Sequence, residues 1–195
     1  MEFSDAECER HNALIREAQR LIDGEIIIHG QPLQSRPGFF TRRRLKRAIS
    51  LYEDALRINP EGWQSMWTIG KICQRLGHHD ESLRWFVRAH ELNPVQVDVA
   101  REAGIAALDC GAADVAVRIC FAAVRLSPDD LGLQSNLSLA YLLAGDDRRA
   151  DECSKVASER APDDPISRAV RSFVVDVISG RRKRPKRLVD AFPVQ

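Results

Sequence analysis

An interval of 34 residues recurs along this chain and restricts its fold more than any other feature. Three series keep this interval: Pro60, Pro94, Pro128 and Pro162; Ala55, Ala89, Ala123 and Ala157; Gly77, Gly111 and Gly145. A period of about 20 to 50 residues is typical of repeat proteins in which every unit is one supersecondary motif. The interval therefore predicts an array of similar units.

Each unit has the pattern of two helices. In the first full unit, Ser65–Leu76 and Asp80–Leu92 carry apolar residues at helical spacing. Gly77 suits the left-handed position after a helix end, Asp80 suits the cap of the next helix, and Pro94 cannot continue the helix before it. Such a helix pair cannot bury its apolar face alone, so neighbouring pairs are expected to stack into a solenoid.

The residues at these positions resemble the pattern of the tetratricopeptide repeat family. In Trp63–Gln96 the pattern runs Met66, Ile69, Gly70, Cys73, Gly77, Ser82, Phe86, Ala89 and Pro94. The usual aromatic positions are replaced at Cys73, Ala107, Cys120 and Ser154. The resemblance covers residues 42–164 and implies an all-α, right-handed α-solenoid of tetratricopeptide-type helix pairs with N- and C-terminal capping helices.

The period divides the chain into segments. We expect an N-terminal helix within 1–24, an irregular insertion at 25–41, a partial repeat at 42–62, repeats at 63–96, 97–130 and 131–164, a capping helix at 165–179, and a basic flexible tail at 180–195. Asp5–Ile22 is expected to replace the missing first helix of the partial repeat, packing antiparallel on Arg42–Ile58 through Leu14 and Leu21. The strand-like run Glu25–His29 has two interpretations, a core contact or an exposed binding strand, and the core contact is favoured.

Charge is distributed unevenly, although the 195 residues carry a formal net charge of only +1. Arg36–Arg47 and Arg181–Arg187 each contain six basic residues and no acid, which leaves an acidic remainder. Such patches are either anchors for nucleic acid, phosphate or an acidic protein, or a solvated helix start and a tail; the second interpretation is favoured. Without a membrane-length apolar run or a signal-peptide pattern, and with five scattered cysteines, the chain is expected to be cytoplasmic.

Motifs of catalysis are missing from the sequence. It contains no P-loop, dinucleotide fingerprint, GxSxG elbow or HExxH motif, so no catalytic, cofactor or metal site is predicted. His78-His79-Asp80 could suggest a metal site, but polar residues are expected at a turn between helices and no fourth ligand is near in sequence. Cys73 and Cys120 occupy packing positions and are interpreted as small apolar residues.

The resemblance also implies a binding surface, because first helices in that family line a concave groove for a partner's peptide or helix. Carried over position by position, the groove candidates are Gln64, Trp67, Thr68, Lys71, Gln74, Arg75, Asp98, Arg101, Ile105, Leu108, Asp109, Ser135, Asn136, Leu139 and Leu142. Trp67 and Arg101 are expected to contribute most to binding. For Leu139 and Leu142 the alternative is packing between adjacent first helices, and it is slightly favoured.

The sequence thus favours a non-catalytic adaptor for a protein or peptide partner. The alternatives are a secretion-type chaperone, a nucleic-acid-associated protein that uses residues 36–47 and 181–187, and an enzyme with hidden chemistry. A clamp for the C-terminal carboxylate of heat-shock chaperones is not expected, because only Lys71, Arg101 and Asn136 are available and the paired spacing is missing. The oligomeric state and the identity of the partner are not determined by the sequence.

Overall fold

A computed structural model describes residues 3–26 and 37–191, and every regular element in these ranges is a helix. The described residues form two compact units, which are divided between Asn93 and Pro94. The first contains α1 (Asp5–Ile22), α2 (Phe39–Ile58), α3 (Trp63–Leu76) and α4 (His79–Leu92). The second contains α5 (Val97–Cys110), α6 (Ala113–Leu126), α7 (Leu131–Ala144), α8 (Asp147–Arg160), α9 (Pro165–Ile178) and the short α10 (Leu188–Ala191).

The period of the sequence is reproduced by the helices. First helices begin at Trp63, Val97, Leu131 and Pro165, and successive starts are 34 residues apart. The helices from α3 to α9 each contain 14 residues. The predicted all-α fold of tetratricopeptide-type helix pairs is confirmed, and the terminal helix α9 repeats the position of a first helix.

The helix ends follow the predicted turn chemistry with one exception. Gly77, Gly111 and Gly145 end the first helices with φ values of 80°, 71° and 84°, in the left-handed region that glycine adopts without steric cost. Asp80 was expected to cap α4, but the helix begins one residue earlier, at His79, without a side-chain cap. Asp80 instead lies in the first turn, where its charge interacts favourably with the helix dipole.

In the first unit, α1 packs antiparallel on α2, as predicted. Glu17 of α1 pairs with Arg47 at 2.7 Å, and Glu25, just beyond α1, pairs with Arg44 at 2.8 Å. Leu21 packs against the buried cluster that includes Ala18, Ala48 and Tyr52, whereas Leu14 is half-buried.

The insertion between α1 and α2 is shorter than expected, because α2 begins at Phe39 and not at Arg42. Ile26 packs on the core cluster of the first unit, which agrees at this residue with the core contact favoured for Glu25–His29. Residues 27–29 of that run lie outside the described residues.

In the second unit, α9 packs on α7 and α8 and buries the stripe expected from the sequence. Asp164 caps α9 by accepting a hydrogen bond from the Ser167 amide at 2.7 Å. Val170, Phe173 and Val174 are at most 3% exposed, so they cover the last helix pair. The predicted role of α9 as a capping helix agrees with this packing.

The expectation of a flexible basic tail needs correction for residues 181–191, which contact the body of the second unit. The Arg184 guanidinium donates to the carbonyl of Leu142 at 2.6 Å and pairs with Asp147 at 2.7 Å. Pro185 is buried, and α10 packs on α5. The cause is long-range ion pairing, which leaves no local pattern in the sequence.

Candidate functional site

The first-helix face of the first unit is centred on Trp67 of α3. Its indole ring is half-buried, and the Lys71 ammonium lies 6.0 Å from the ring centroid. The indole Nε1 is inaccessible to solvent and has no hydrogen-bond acceptor among the described residues. Buried donors almost always have an acceptor, so this N–H needs an explanation. Gln64, one turn earlier, has an exposed side chain, and its backbone carbonyl accepts from the Thr68 hydroxyl at 2.8 Å.

The end of α3 is held by an ion cluster. Arg75 lies 3.5 Å from Glu25, which also pairs with Arg44 of α2. Both Arg75 and Lys71 are largely buried, and Gln74 between them is half-buried. The structure therefore brings the candidates on α3 together, but Arg75 has a structural partner that the sequence did not indicate.

On α5, Arg101 makes a two-pronged contact with Asp130. Its Nη2 lies 2.6 Å from Asp130 Oδ2, and its Nη1 lies 3.4 Å from Oδ1. Asp130 also caps α7 by accepting from the Leu133 amide at 3.1 Å. The Arg101 hydrogen bond holds the pKa of Asp130 below its usual value, with a further contribution from the helix amide.

These contacts change the interpretation of Arg101. Its guanidinium was expected to offer a cation to the partner, but it is already bound to the start of the next first helix. Arg101 therefore positions α7 relative to α5 within the second unit. Asp98 on the same helix is exposed, and Ile105 and Asp109 are half-buried.

The candidates on α7 are mostly core residues. Ser135 and Leu139 are 2% and 3% exposed, and Leu108 on α5 and Leu142 on α7 are fully buried. They therefore offer no surface to a partner in this conformation, which corrects the assignment of Leu108 and Ser135 and supports the favoured packing interpretation of Leu139 and Leu142. Helices α5 and α7 contact each other, so these positions are used between adjacent first helices. Asn136 is half-buried and stays a candidate.

Sequence reasoning missed Asp130 and Glu25, the two carboxylates that bind the candidate arginines. Asp130 had a signal, because an aspartate directly before a helix start is a typical N-cap. Glu25 had none, because its partner Arg75 is 50 residues away in sequence.

Two kinds of side chain could carry chemistry other than peptide binding: clusters of metal ligands and reactive cysteines. Within residues 3–26 and 37–191, no group of three or more His, Cys, Asp and Glu side chains is placed to hold a metal ion. Burial raises the pKa of the Cys73 and Cys120 thiols to about 12, and that of Cys153 to about 11. A reactive cysteine needs a lowered pKa, so these three thiols have the character of packing residues.

The hydropathy of the helices bears on membrane insertion. Across the described ranges, no helix combines the length and the apolar character that a membrane span requires.

Comparison with known sequences and structures separates fold from family. No protein-family model matches the chain, and no curated protein sequence matches it. Solved structures do match its fold. MamA from Desulfovibrio magneticus RS-1, comprising residue 41 to the end, gives a TM-score of 0.69 at 16% identity and covers 88% of this chain and 86% of that one.

Two further structures show the same similarity. YrrB, described as a TPR protein with an unusual peptide-binding site, gives a TM-score of 0.62 at 17% identity, covering 78% of this chain and 79% of its own. A tetratricopeptide repeat protein from Parabacteroides merdae ATCC 43184 gives 0.68 at 13% identity, covering 89% of this chain and 61% of its own. The chain therefore has the fold of tetratricopeptide repeat proteins.

Proposed function

We propose that this protein is a non-catalytic adaptor that holds a peptide segment of another protein on its first-helix faces. Candidates with accessible surface include Gln64, Trp67 and Gln74 in the first unit and Asp98, Ile105 and Asn136 in the second. In the first unit they combine one large aromatic ring with two amide groups, which suits an extended or amphipathic segment. The fold adds support, because one similarly folded protein, YrrB, is described as having a peptide-binding site.

The observation that carries the proposal is the indole N–H of Trp67. It is a buried donor for which the described residues supply no acceptor. A turn of the half-exposed ring on binding would bring this N–H to a backbone carbonyl of the peptide, and a partly buried tryptophan is the residue type that most often dominates binding energy. The Lys71 ammonium lies 6.0 Å from the centroid of the same ring and adds a polar contact beside it.

The test begins with selection of peptides that bind the full chain from a random display library. The best peptide is then titrated by calorimetry into the wild type and into Trp67→Phe, which keeps an aromatic ring and removes the N–H. We expect affinity to fall about fivefold to tenfold, because one neutral hydrogen bond contributes about 1 kcal/mol.

The matched control is Trp85→Phe, a tryptophan on the second helix α4 whose ring is covered by Arg88 at 5.4 Å. This variant is expected to bind the peptide as the wild type does, and circular dichroism verifies that both variants are folded. Equal loss of affinity in the two variants would contradict a site on the first helix. Failure of the full chain to select any peptide would contradict the adaptor function itself.

A further inference from the structure

Two phenylalanines at the start of α2 are exposed. Phe39 and Phe40 are 74% and 84% accessible, and their rings touch edge to face with centroids 5.5 Å apart. Single exposed apolar residues are normal on protein surfaces, but two adjacent aromatic rings at one helix end form a small apolar tip. Neither ring belongs to the core formed by the described residues or to the proposed peptide site.

Basic residues follow this tip along α2 and divide into two sets. Arg44 and Arg47 pair with Glu25 and Glu17, on the side of α1. A second set is exposed and forms no ion pair with a described carboxylate: Arg42, Arg43 and Lys46.

Helical geometry places the exposed cations beside the rings. Positions 39, 43 and 46 are spaced i, i+4 and i+7 and therefore share one helix face. The tip thus joins an aromatic pair to positive charges that no described carboxylate pairs with.

We propose that this tip, Phe39 and Phe40 with Arg42, Arg43 and Lys46, docks the protein on an anionic lipid surface. Aromatic rings are favoured at the boundary between headgroups and acyl chains, and neighbouring Lys and Arg side chains bind anionic headgroups. The binding is peripheral and reversible, because two rings and three cations are far from the apolar length of a spanning helix.

The geometry of the rings argues against single-stranded nucleic acid as the occupant. Successive bases stack on aromatic faces that are approximately parallel to one another. The planes of Phe39 and Phe40 are inclined by 80°, so the pair does not form such a platform. In the other basic segment, 181–187, Arg181 and Arg184 form ion pairs with the body of the second unit. Lys183, Lys186 and Arg187 are exposed as well, but this segment contains no aromatic residue, so the start of α2 is the basic segment that combines exposed cations with exposed rings.

The test is sedimentation of the full chain with vesicles of phosphatidylcholine containing about 30% phosphatidylserine, and with vesicles of phosphatidylcholine alone. The wild type is expected to bind the anionic vesicles and to be released as salt is raised. Phe39→Ala with Phe40→Ala should weaken binding at least about tenfold, since two apolar side chains no longer leave water. Arg42→Gln, Arg43→Gln and Lys46→Gln together should weaken it by a similar factor.

Two control variants match these changes elsewhere in the chain. Ile166→Ala removes another exposed apolar side chain, and a triple change to Gln at Lys183, Lys186 and Arg187 removes three exposed cations. Both are expected to bind vesicles as the wild type does, which supports the tip as the binding element. All variants are verified as folded by circular dichroism, which is expected because every changed side chain is exposed.

Any one of three results would overturn the proposal: no sedimentation of the wild type with anionic vesicles, equal vesicle binding by the double Phe variant and the wild type, or a loss of binding in the controls as large as in the tip variants.

Fluorescence anisotropy with a labelled oligothymidine tests single-stranded nucleic acid as the rival occupant. Oligothymidine binding that depends on the rings, without vesicle binding, would assign the tip to nucleic acid instead. No result depends on the peptide site, because the tip shares no residue with the first-helix faces.

Discussion

In two helix pairs a serine hydroxyl bridges the two helices, but the serine lies on the second helix in one pair and on the first helix in the other. In the α3–α4 pair, Ser82 of α4 donates to the backbone carbonyl of Gly70 at 2.9 Å. In the α7–α8 pair, Ser138 of α7 donates to the backbone carbonyl of Ala150 at 2.8 Å. The 34-residue period aligns these positions, so a residue without a hydroxyl always faces the serine. Each contact requires the two helix backbones to approach closely, and each hydroxyl donates to a backbone carbonyl, so it needs no partner side chain.

At Gly70 the close approach leaves no room for a side chain. A Cβ added there would lie 2.7 Å from ring atoms of Phe86, which is fully buried and cannot move aside. We expect Gly70→Ala to lower the free energy of unfolding by about 1–3 kcal/mol, although alanine is the better helix former. Urea denaturation monitored by circular dichroism measures the change.

The equivalent position in the next pair supplies the control. A Cβ at Gly104 would lie 2.7 Å from Cys120 Sγ, a single atom that a second substitution can remove. Gly104→Ala is expected to be better tolerated in the Cys120→Ala background than alone, which is a coupling that a double-mutant cycle detects. A Gly70→Ala variant as stable as the wild type would show that the α3–α4 pair is packed more loosely than the structure indicates.

At the scale of the helices, the sequence predicted most of what is local. Apolar spacing and the turn residues located each helix of the repeats, because these signals act within a few residues. The face candidates were predicted less well, because their environment depends on contacts between elements. Arg101 was interpreted as a binding cation, yet Asp130, 29 residues later, neutralises it. Leu108 was interpreted as a groove residue, but it is fully buried.

The starts of α7 and α8 depend on ionised aspartates. Hydrogen bonds lower the pKa of both carboxyls: Arg101, followed by the Leu133 amide, acts on Asp130, and the Arg149 amide acts on Asp146. A lowered pKa in the folded state contributes stability above the unfolded-state value of 3.8, and this stability is lost as pH falls through the folded-state value.

We therefore expect acid to destabilise the wild type more than a variant that cannot titrate at these caps. Asp130→Asn with Asp146→Asn keeps side chains that can cap a helix and removes both carboxylates. The free energy of unfolding in urea is compared at about pH 6 and about pH 3 for each protein. The variant should lose less stability than the wild type, whereas Asp114→Asn, an exposed aspartate that does not cap a helix, should behave as the wild type. An identical loss in all three proteins would show that the caps do not contribute to the acid sensitivity.

At the scale of the whole molecule, the two basic segments differ in what they contact. The start of α2 has three exposed cations that pair with no described carboxylate, and they lie beside two exposed rings, which suits contact with another body. The segment 181–187 is used internally: Arg181 pairs with Asp176 at 2.8 Å, and Arg182 covers the Phe173 ring at 5.1 Å. Each segment has six basic residues and places two arginines in ion pairs, so the difference lies in the aromatic rings, which are exposed beside the cations at the start of α2 and are absent from 181–187.

The internal role of the second segment reverses the expectation for its removal. A flexible tail would be removed at little cost, but deletion of residues 181–195 takes away the Arg184 contacts with Leu142 and Asp147 and exposes the surface under Pro185. A hydrogen bond from a charged group contributes about 1.5–3 kcal/mol, so the truncated chain is expected to lose about 2 kcal/mol of unfolding free energy. Urea denaturation of the two chains measures this loss.

Arg184→Ala should reproduce much of the lost unfolding free energy, whereas Lys183→Ala, a change at an exposed neighbour, should leave the free energy of unfolding close to that of the wild type. A truncated chain that unfolds at the same urea concentration as the full chain would mean that residues 181–191 do not pack on the second unit in solution.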